Sequence, residues 1–137
     1  MSEAIPKKWQ EEFNTGVKFI DEQHRYFFNI VKDLEKILDH KECDRNISDI
    51  FFALVHYVEH FTLQEEIYFK NLHFSGLQAH KEAHNKFVDA VVRFKDDFTL
   101  GKENVCDDLY AFLSEWFNEH ILLLDVNTVE KMRQAGI

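Results

Sequence analysis

The chain has few of the residues that interrupt helices. It contains one proline, Pro6, and four glycines among 137 residues. Because proline and glycine are the strongest breakers of regular structure, their scarcity argues against a turn-rich fold and predicts an all-α protein. Hydrophobic residues make up 45% of the chain, and its length is that of one ordinary domain. We therefore expect a single domain over residues 1–137.

Basic residues and long apolar runs are also scarce. Sixteen Lys and Arg stand against 25 Asp and Glu, a formal net charge of -9, which argues against nucleic acid or an anionic membrane as partner. The apolar run at 121–124 is far shorter than the roughly 20 residues that span a bilayer. The first ten residues lack the apolar stretch of a secretory signal. We expect a cytoplasmic protein without membrane insertion.

Cysteine is represented by Cys43 and Cys106 alone, each in a polar stretch typical of a loop or a helix start. The absence of a C-x-x-C motif excludes a redox or zinc site of that kind. Because a core of this size needs no disulfide framework, we expect both cysteines to be free thiols.

Apolar residues recur with a spacing near 3.6 in four segments, which predicts four helices. They occupy residues 17–38, 47–72, 77–94 and 109–120, separated by polar connections at 40–46, 73–76 and 97–104. Asp44 or Asn46 could cap the second helix. Long helices joined by short connections pack as antiparallel neighbours, so we predict an up-down-up-down four-helix bundle. An N-terminal arm, residues 1–16, precedes it, and a short C-terminal helix is expected after Asp125.

Histidines fall on the apolar stripes of three of these helices, at His24, His80, His84 and His120. His80 and His84, in the segment HKEAH, project from one helix face and can reach the same ion. A single buried histidine is usually an ordinary core residue. Four of them argue for a metal, because each buried imidazole without a partner costs ~1 to 3 kcal/mol.

Two acids accompany these histidines. Glu65 follows His60 on the second helix, and Asp125 follows the apolar run ILLL after His120. A carboxylate in such surroundings is unfavourable without a cation beside it. Two carboxylates among five imidazoles can bridge two divalent ions, and ligands without thiolate favour iron or manganese over a structural zinc site.

Four segments carry a specific resemblance to a known family. They are GVKFIDEQH at 16–24, HFTLQEE at 60–66, HKEAH at 80–84 and WFNEHILLLD at 116–125. With these segments the chain resembles the hemerythrins, in particular the bacterial single-domain type, over residues 9–132. Myohemerythrin is itself a standard example of the up-down-up-down bundle, so the predicted topology agrees with the resemblance without testing it.

The resemblance implies a non-haem site of two iron ions joined by carboxylates and an oxo or hydroxo bridge. Three histidines would hold one iron, two would hold the other, and two carboxylates would bridge them. In that order the ligands are His80, His84 and His120; His24 and His60; Glu65 and Asp125. The iron with two histidines keeps an open position for dioxygen. Trp116 and Phe117 resemble the apolar residues that wall this pocket, although plain core packing explains either of them equally well.

The second helix departs from the family's pattern. The family's bridging Glu stands four residues after the His, where this chain has Gln64, and Glu65 comes one residue later. Either Gln64 replaces the acid or one residue is inserted. Insertion is favoured because, with Glu65 inward, apolar residues turn inward and polar ones outward: Tyr68, Phe69 and Leu72 against Glu66, Lys70 and Asn71. A five-residue step overshoots one turn by about 140°, so insertion predicts a π turn between His60 and Glu65.

The remaining histidines are not predicted ligands. His40 and His73 lie in connections, and His56, one turn before His60, has no acid or third histidine left to complete a second site.

The resemblance implies reversible dioxygen binding, for storage, delivery or scavenging, by a monomer or small homo-oligomer that is not an enzyme. The sequence contains no additional domain, which argues for a free carrier over an oxygen sensor. One alternative is a di-iron enzyme, an oxidase or a protein that handles peroxide or nitric oxide, although such sites tend to be rich in carboxylates. Another is a structural zinc bundle or a metal-free interaction protein, which would leave the buried histidines unexplained.

Overall fold

The computed structural model describes residues 8–71 and 77–125, together with Glu130 and Gln134. Within these residues the regular structure is helical and contains no strand. A 3-10 turn at Glu11–Phe13 precedes the first long helix, α1 (Lys18–Asp39). The third long helix, α4 (Leu77–Thr99), is α-helical throughout, and the helices before and after it each combine α-helical and π-helical segments. The predicted all-α class is therefore confirmed, as a helical bundle.

The second and fourth long helices are each composed of α-helical and π-helical segments. The second comprises α2 (Cys43–His56), a π-helical segment named π1 (Tyr57–Thr62) and α3 (Leu63–Asn71). The fourth comprises α5 (Val105–Glu115) and the π-helical segment π2 (Trp116–Asp125). The predicted connection at 73–76 and most of the predicted C-terminal helix lie outside the described residues.

The N-terminal arm is held to the start of α1 by one carboxylate. The side chain of Asp21 accepts hydrogen bonds from the backbone N–H of Thr15 at 2.7 Å, from its hydroxyl at 2.8 Å and from the N–H of Gly16 at 3.1 Å. Because a carboxylate near a helix N-terminus also offsets the helix dipole, this contact fixes where α1 begins.

The connections between helices follow the polar stretches of the sequence, but the predicted cap is wrong. Helix α2 begins at Cys43, Glu42 occupies the cap position without a side-chain cap bond, and Asp44 lies inside the first turn. The amide of Asn46 instead bonds the Glu42 carboxylate at 2.8 Å. At the end of α4, Gly101 has a φ of 77°, the left-handed conformation that commonly closes a helix.

A continuous apolar core lies between α1, α2, α4 and the fourth helix. Its fully buried members come from all four: Phe27, Val31, Leu34, Leu54, Phe87, Leu109, Leu113, Phe117 and Ile121. A second, smaller cluster is centred on Ile20 and Phe69. On α1, His24 lies between Ile20 of the small cluster and Phe27 of the main core, so apolar side chains flank it on both sides along the helix.

The two cysteines form a disulfide, which corrects the expectation of free thiols. Cys43 opens α2 and Cys106 lies in the first turn of α5, and their Cα atoms are 6.2 Å apart. That separation is within the normal range for a disulfide. The pairing could not be predicted from local sequence patterns, because 63 residues separate the two positions.

Among the described helices, none is both long and apolar enough to cross a membrane.

Candidate metal centre

The second helix contains the predicted widening, and it turns Glu65 inward. The π-helical segment π1 runs from Tyr57 to Thr62, so it begins before His60 and ends before Glu65. Glu65 is only 3% exposed, whereas Gln64 lies on the exposed side of the helix. Phe69 is fully buried and Lys70 is exposed, as the inward position of Glu65 requires. The predicted inward direction of Glu65 and Phe69 and outward direction of Lys70 and Asn71 are confirmed, whereas Glu66 is only partly exposed and Leu72 lies outside the described residues.

Gln64 makes a contact at the edge of this region. Its amide oxygen accepts a hydrogen bond from Nε2 of Gln23, at 3.5 Å. Gln23 is buried and directly precedes His24 on α1. The bond therefore joins α1 to the beginning of α3, next to His24 and Glu65.

Four histidines from three helices surround the Glu65 carboxylate. They are His24 on α1, His80 and His84 on α4, and His120 on π2, and each is at most 5% exposed. His24 Nε2 lies 3.8 Å from Glu65 Oε2, and Nε2 of His80 lies 3.8 Å from Glu65 Oε1. His84 Nε2 approaches Oε1 to 3.5 Å. The structure thus brings together five of the seven predicted ligands.

The imidazoles also lie close to one another. The ring centroids of His84 and His120 are 5.3 Å apart, and those of His80 and His120 are 5.5 Å apart. Glu65, His84 and His120 each offer a ligand atom within 4.8 Å of the others. Ligand atoms at such separations can share one ion, so this group is a candidate metal site.

The electrostatics of the group favour a cation. Oε1 of Glu65 is buried and accepts no hydrogen bond from any described residue. A buried ionised carboxylate is costly unless it is paired or coordinates a metal. Imidazole nitrogens and carboxylate oxygens, without thiolate, suit iron, manganese or zinc, and the donor set present therefore fits a metal of this kind.

The structure does not bring His60 to this group. Its side chain is exposed, and its ring packs against that of His56 with the centroids 4.3 Å apart. His56 in turn contacts Tyr26, at 5.4 Å between ring centroids. Asp125 ends π2, but its side chain lies outside the described part of the structure. The assignment of both residues as ligands stays a prediction.

The two predicted pocket residues have different surroundings. The ring of Trp116 stacks on His120, with 3.9 Å between centroids and 11° between planes. Its Nε1 donates a hydrogen bond to the Tyr57 hydroxyl at 3.4 Å. Phe117 is buried in the main core, parallel to Phe27 at 6.5 Å. Trp116 therefore borders the histidine cluster, whereas the described contacts of Phe117 are those of a core residue.

Two further side chains touch the cluster and were not predicted. The carboxylate of Glu66, which the sequence pattern placed outward, lies 2.9 Å from Nδ1 of His84. The ring of Phe69 packs on His80 with 4.8 Å between centroids. The second acid in HFTLQEE was the available signal for Glu66, but its partner lies 18 residues away on another helix.

Comparison with known proteins gives consistent matches. A family model described as the hemerythrin HHE cation binding domain matches residues 15–125. A bacteriohemerythrin of Pseudomonas aeruginosa is 30% identical over 128 residues, covering 93% of this chain and 82% of the relative. One of Clostridium acetobutylicum is 30% identical, covering 85% and 94%. A hemerythrin-like protein of Naegleria gruberi is 28% identical, covering 88% and 91%.

Proposed function

Because this chain belongs to the hemerythrin family, we propose that it binds dioxygen reversibly at a non-haem site of two iron ions. The observation that carries the proposal is the Glu65 carboxylate, buried within 3.8 Å of the Nε2 atoms of His24, His80 and His84. When bound, the reduced iron pair supplies the electrons that dioxygen takes up. The protein supplies the ligands and the apolar surroundings.

The proposed ligand set extends the five residues that the structure brings together. His80, His84 and His120 would hold one iron, His24 and His60 would hold the other, and Glu65 and Asp125 would contact both. The helices that carry them are proposed to alternate in direction, as in an up-down-up-down bundle. In that arrangement each helix contributes at least one ligand to the bundle interior.

Two features favour a carrier over an enzyme. Histidines outnumber carboxylates at the site, whereas di-iron enzymes built on this kind of bundle bind their metals mainly through carboxylates. The Trp116 ring covers His120, and the Phe69 ring packs on His80. Rings packed in this way would limit the access of water and external protons to the imidazoles, and such exclusion protects a reversible dioxygen site from irreversible oxidation.

Exposure of the iron-loaded protein to air tests this function. The protein is loaded anaerobically with two equivalents of ferrous iron, its absorption spectrum is recorded, air is admitted, and oxygen is then removed under argon. We expect colour that appears with oxygen and disappears on its removal through several cycles. The Glu65→Ala variant serves as the control and should not show these cycles.

Other outcomes of the same experiment support other functions. Rapid irreversible oxidation accompanied by turnover of an added reductant, peroxide or nitric oxide would support a di-iron enzyme. Failure of the protein to retain iron would instead support a structural zinc bundle or a metal-free role.

A further inference from the structure

The contact between Glu66 and His84 carries an inference about how the metal centre is assembled. Glu66 Oε2 lies 2.9 Å from Nδ1 of His84, a normal hydrogen-bond distance. The His84 side chain is 4% exposed and that of Glu66 is 20% exposed. His84 therefore lies inside the cluster, and Glu66 reaches it from the edge of α3.

This contact favours the tautomer of His84 in which Nδ1 carries the proton. An ionised carboxylate accepts hydrogen bonds and donates none, so Nδ1–H of His84 donates to Glu66. In the neutral ring the other nitrogen, Nε2, then keeps a free electron pair. That nitrogen is the one that points to Glu65.

The inner side of the His84 ring faces the Glu65 carboxylate. His84 Nε2 lies 3.5 Å from Glu65 Oε1, and in this tautomer both atoms are electron-pair donors. Two such atoms at this distance suit a cation bound between them. The neighbouring acids Glu65 and Glu66 thus contact the two sides of one imidazole, and a metal ion fits on the side of Glu65.

We propose that Glu66 is a positioning residue for the metal centre. Its carboxylate holds His84 in the tautomer and orientation that present Nε2 to the metal. The inference rests on the proposed function, because it takes His84 as a ligand. A carboxylate that accepts the outer N–H of a metal-binding imidazole also raises its basicity, and loss of such a partner typically weakens metal binding by 10- to 100-fold.

The test compares Glu66→Ala, Glu66→Gln and the matched control Glu82→Gln. Glu82 is exposed on α4, and its carboxylate accepts a bond from Gln78 at 3.4 Å. Ferrous iron affinity is measured anaerobically against a competing chelator, and cobalt(II) serves as a spectroscopic probe. Thermal unfolding of each metal-free variant measures any general structural effect.

We expect Glu66→Ala to weaken ferrous iron binding by about 10- to 100-fold and to alter the cobalt(II) spectrum. Glu66→Gln should recover part of the affinity, because its amide oxygen can still accept the Nδ1–H bond. Glu82→Gln should bind as the wild type does. If Glu66 had only a structural role, its substitution should lower the unfolding temperature of the metal-free protein. Partial recovery of iron affinity in Glu66→Gln, with unchanged unfolding of the metal-free variants, therefore distinguishes the positioning role.

Wild-type iron affinity in Glu66→Ala would overturn the inference, and so would equal losses in the Ala and Gln variants. Cobalt(II) binding needs no dioxygen chemistry, so the two proposals can fail separately. If the loaded wild type shows no reversible colour while the Glu66 variants lose metal affinity as expected, the proposed function alone is overturned.

Discussion

At the scale of single residues, the buried Glu65 carboxylate lacks a hydrogen-bond donor among the described residues for one of its oxygens. Four imidazoles surround it, yet its Oε1 accepts no hydrogen bond from a described residue. Gln64, one position earlier, is exposed and bonds Gln23. The two residues therefore differ in burial, charge and partner, and substitutions at these positions should have different effects.

We predict that Glu65→Ala binds at least one iron ion fewer than the wild type, because the proposed bridging carboxylate and its charge are lost. Gln64→Ala should bind both ions, since its side chain lies outside the cluster. Metal analysis after anaerobic loading and desalting measures the stoichiometry. Equal loss of iron in the two variants would contradict the assignment of Glu65.

His60 is the predicted ligand that the structure places away from the cluster, with its ring on His56. If His60 binds iron in the loaded protein, its ring must leave His56, and His60→Ala should lower the iron content from two ions to one. His56→Ala is the matched control, because it removes the stacking partner and leaves the proposed ligands intact. Two retained ions in His60→Ala would remove His60 from the ligand set.

The inward direction of Glu65 could be predicted from sequence, because the residues after it, from Tyr68 to Lys70, repeat the helical pattern of buried and exposed positions. The direction of His60 could not. It depends on where the π-helical segment begins, and Tyr57, its first residue, lies before His60. The contact of Glu66 with His84 depends on how two helices pack, which local periodicity does not describe.

At the scale of helical elements, both proposed bridging acids lie five residues after a histidine that belongs to a π-helical segment. His60 lies in π1, and Glu65 follows that segment. His120 and Asp125 both lie in π2. Because π-helical hydrogen bonds join residues five apart, such segments change which residues share a helix face, and they occur frequently at functional sites. The α-helical spacing of HKEAH needs no such adjustment.

The extra residue between His60 and Glu65 predicts opposite effects of deletion and insertion. Deleting Gln64 restores a four-residue step from His60 to the following Glu, so a regular α-helix should replace π1 while iron binding is retained. Inserting one Ala after Gln64 should rotate Glu65 by about 100° away from the cluster and abolish binding of at least one ion.

Iron stoichiometry and the crystal structure of the deletion variant measure these effects. Thermal unfolding of both metal-free variants controls for general loss of folding. The prediction would be contradicted if the insertion variant kept its iron and the deletion variant lost it. That result would mean that iron binding depends on the π-helical segment π1 itself.

At the scale of the whole molecule, the disulfide joins the starts of α2 and α5, far from the candidate metal centre along the same helices. Glu65 lies 22 residues after Cys43, and His120 lies 14 residues after Cys106. At 1.5 Å per residue these separations are about 33 Å and about 21 Å. The disulfide and the candidate metal ligands therefore lie in different parts of these two helices.

The helix ranges were largely predictable, since each depends on local periodicity, but the disulfide was not. Its formation requires that two helix starts, 63 residues apart in sequence, lie side by side with a Cα separation of 6.2 Å. The polar stretches around Cys43 and Cys106, predicted to be loops or helix starts, contain the first residues of α2 and α5. Which helix starts are neighbours is a property of the assembled bundle.

We predict that reduction of the disulfide lowers the free energy of unfolding by about 2 to 4 kcal/mol, because a loop of this length loses the entropic restriction of its unfolded state. Urea unfolding of the iron-free protein, with and without a reducing agent, measures the change. The variant carrying both Cys43→Ser and Cys106→Ser should unfold at the same lower urea concentration under either condition, and should still bind iron as the wild type does. A cytoplasmic environment keeps most thiols reduced. In such an environment the free energy of unfolding that applies is that of the protein without the disulfide. A wild-type midpoint that does not respond to the reducing agent would contradict a stabilising disulfide.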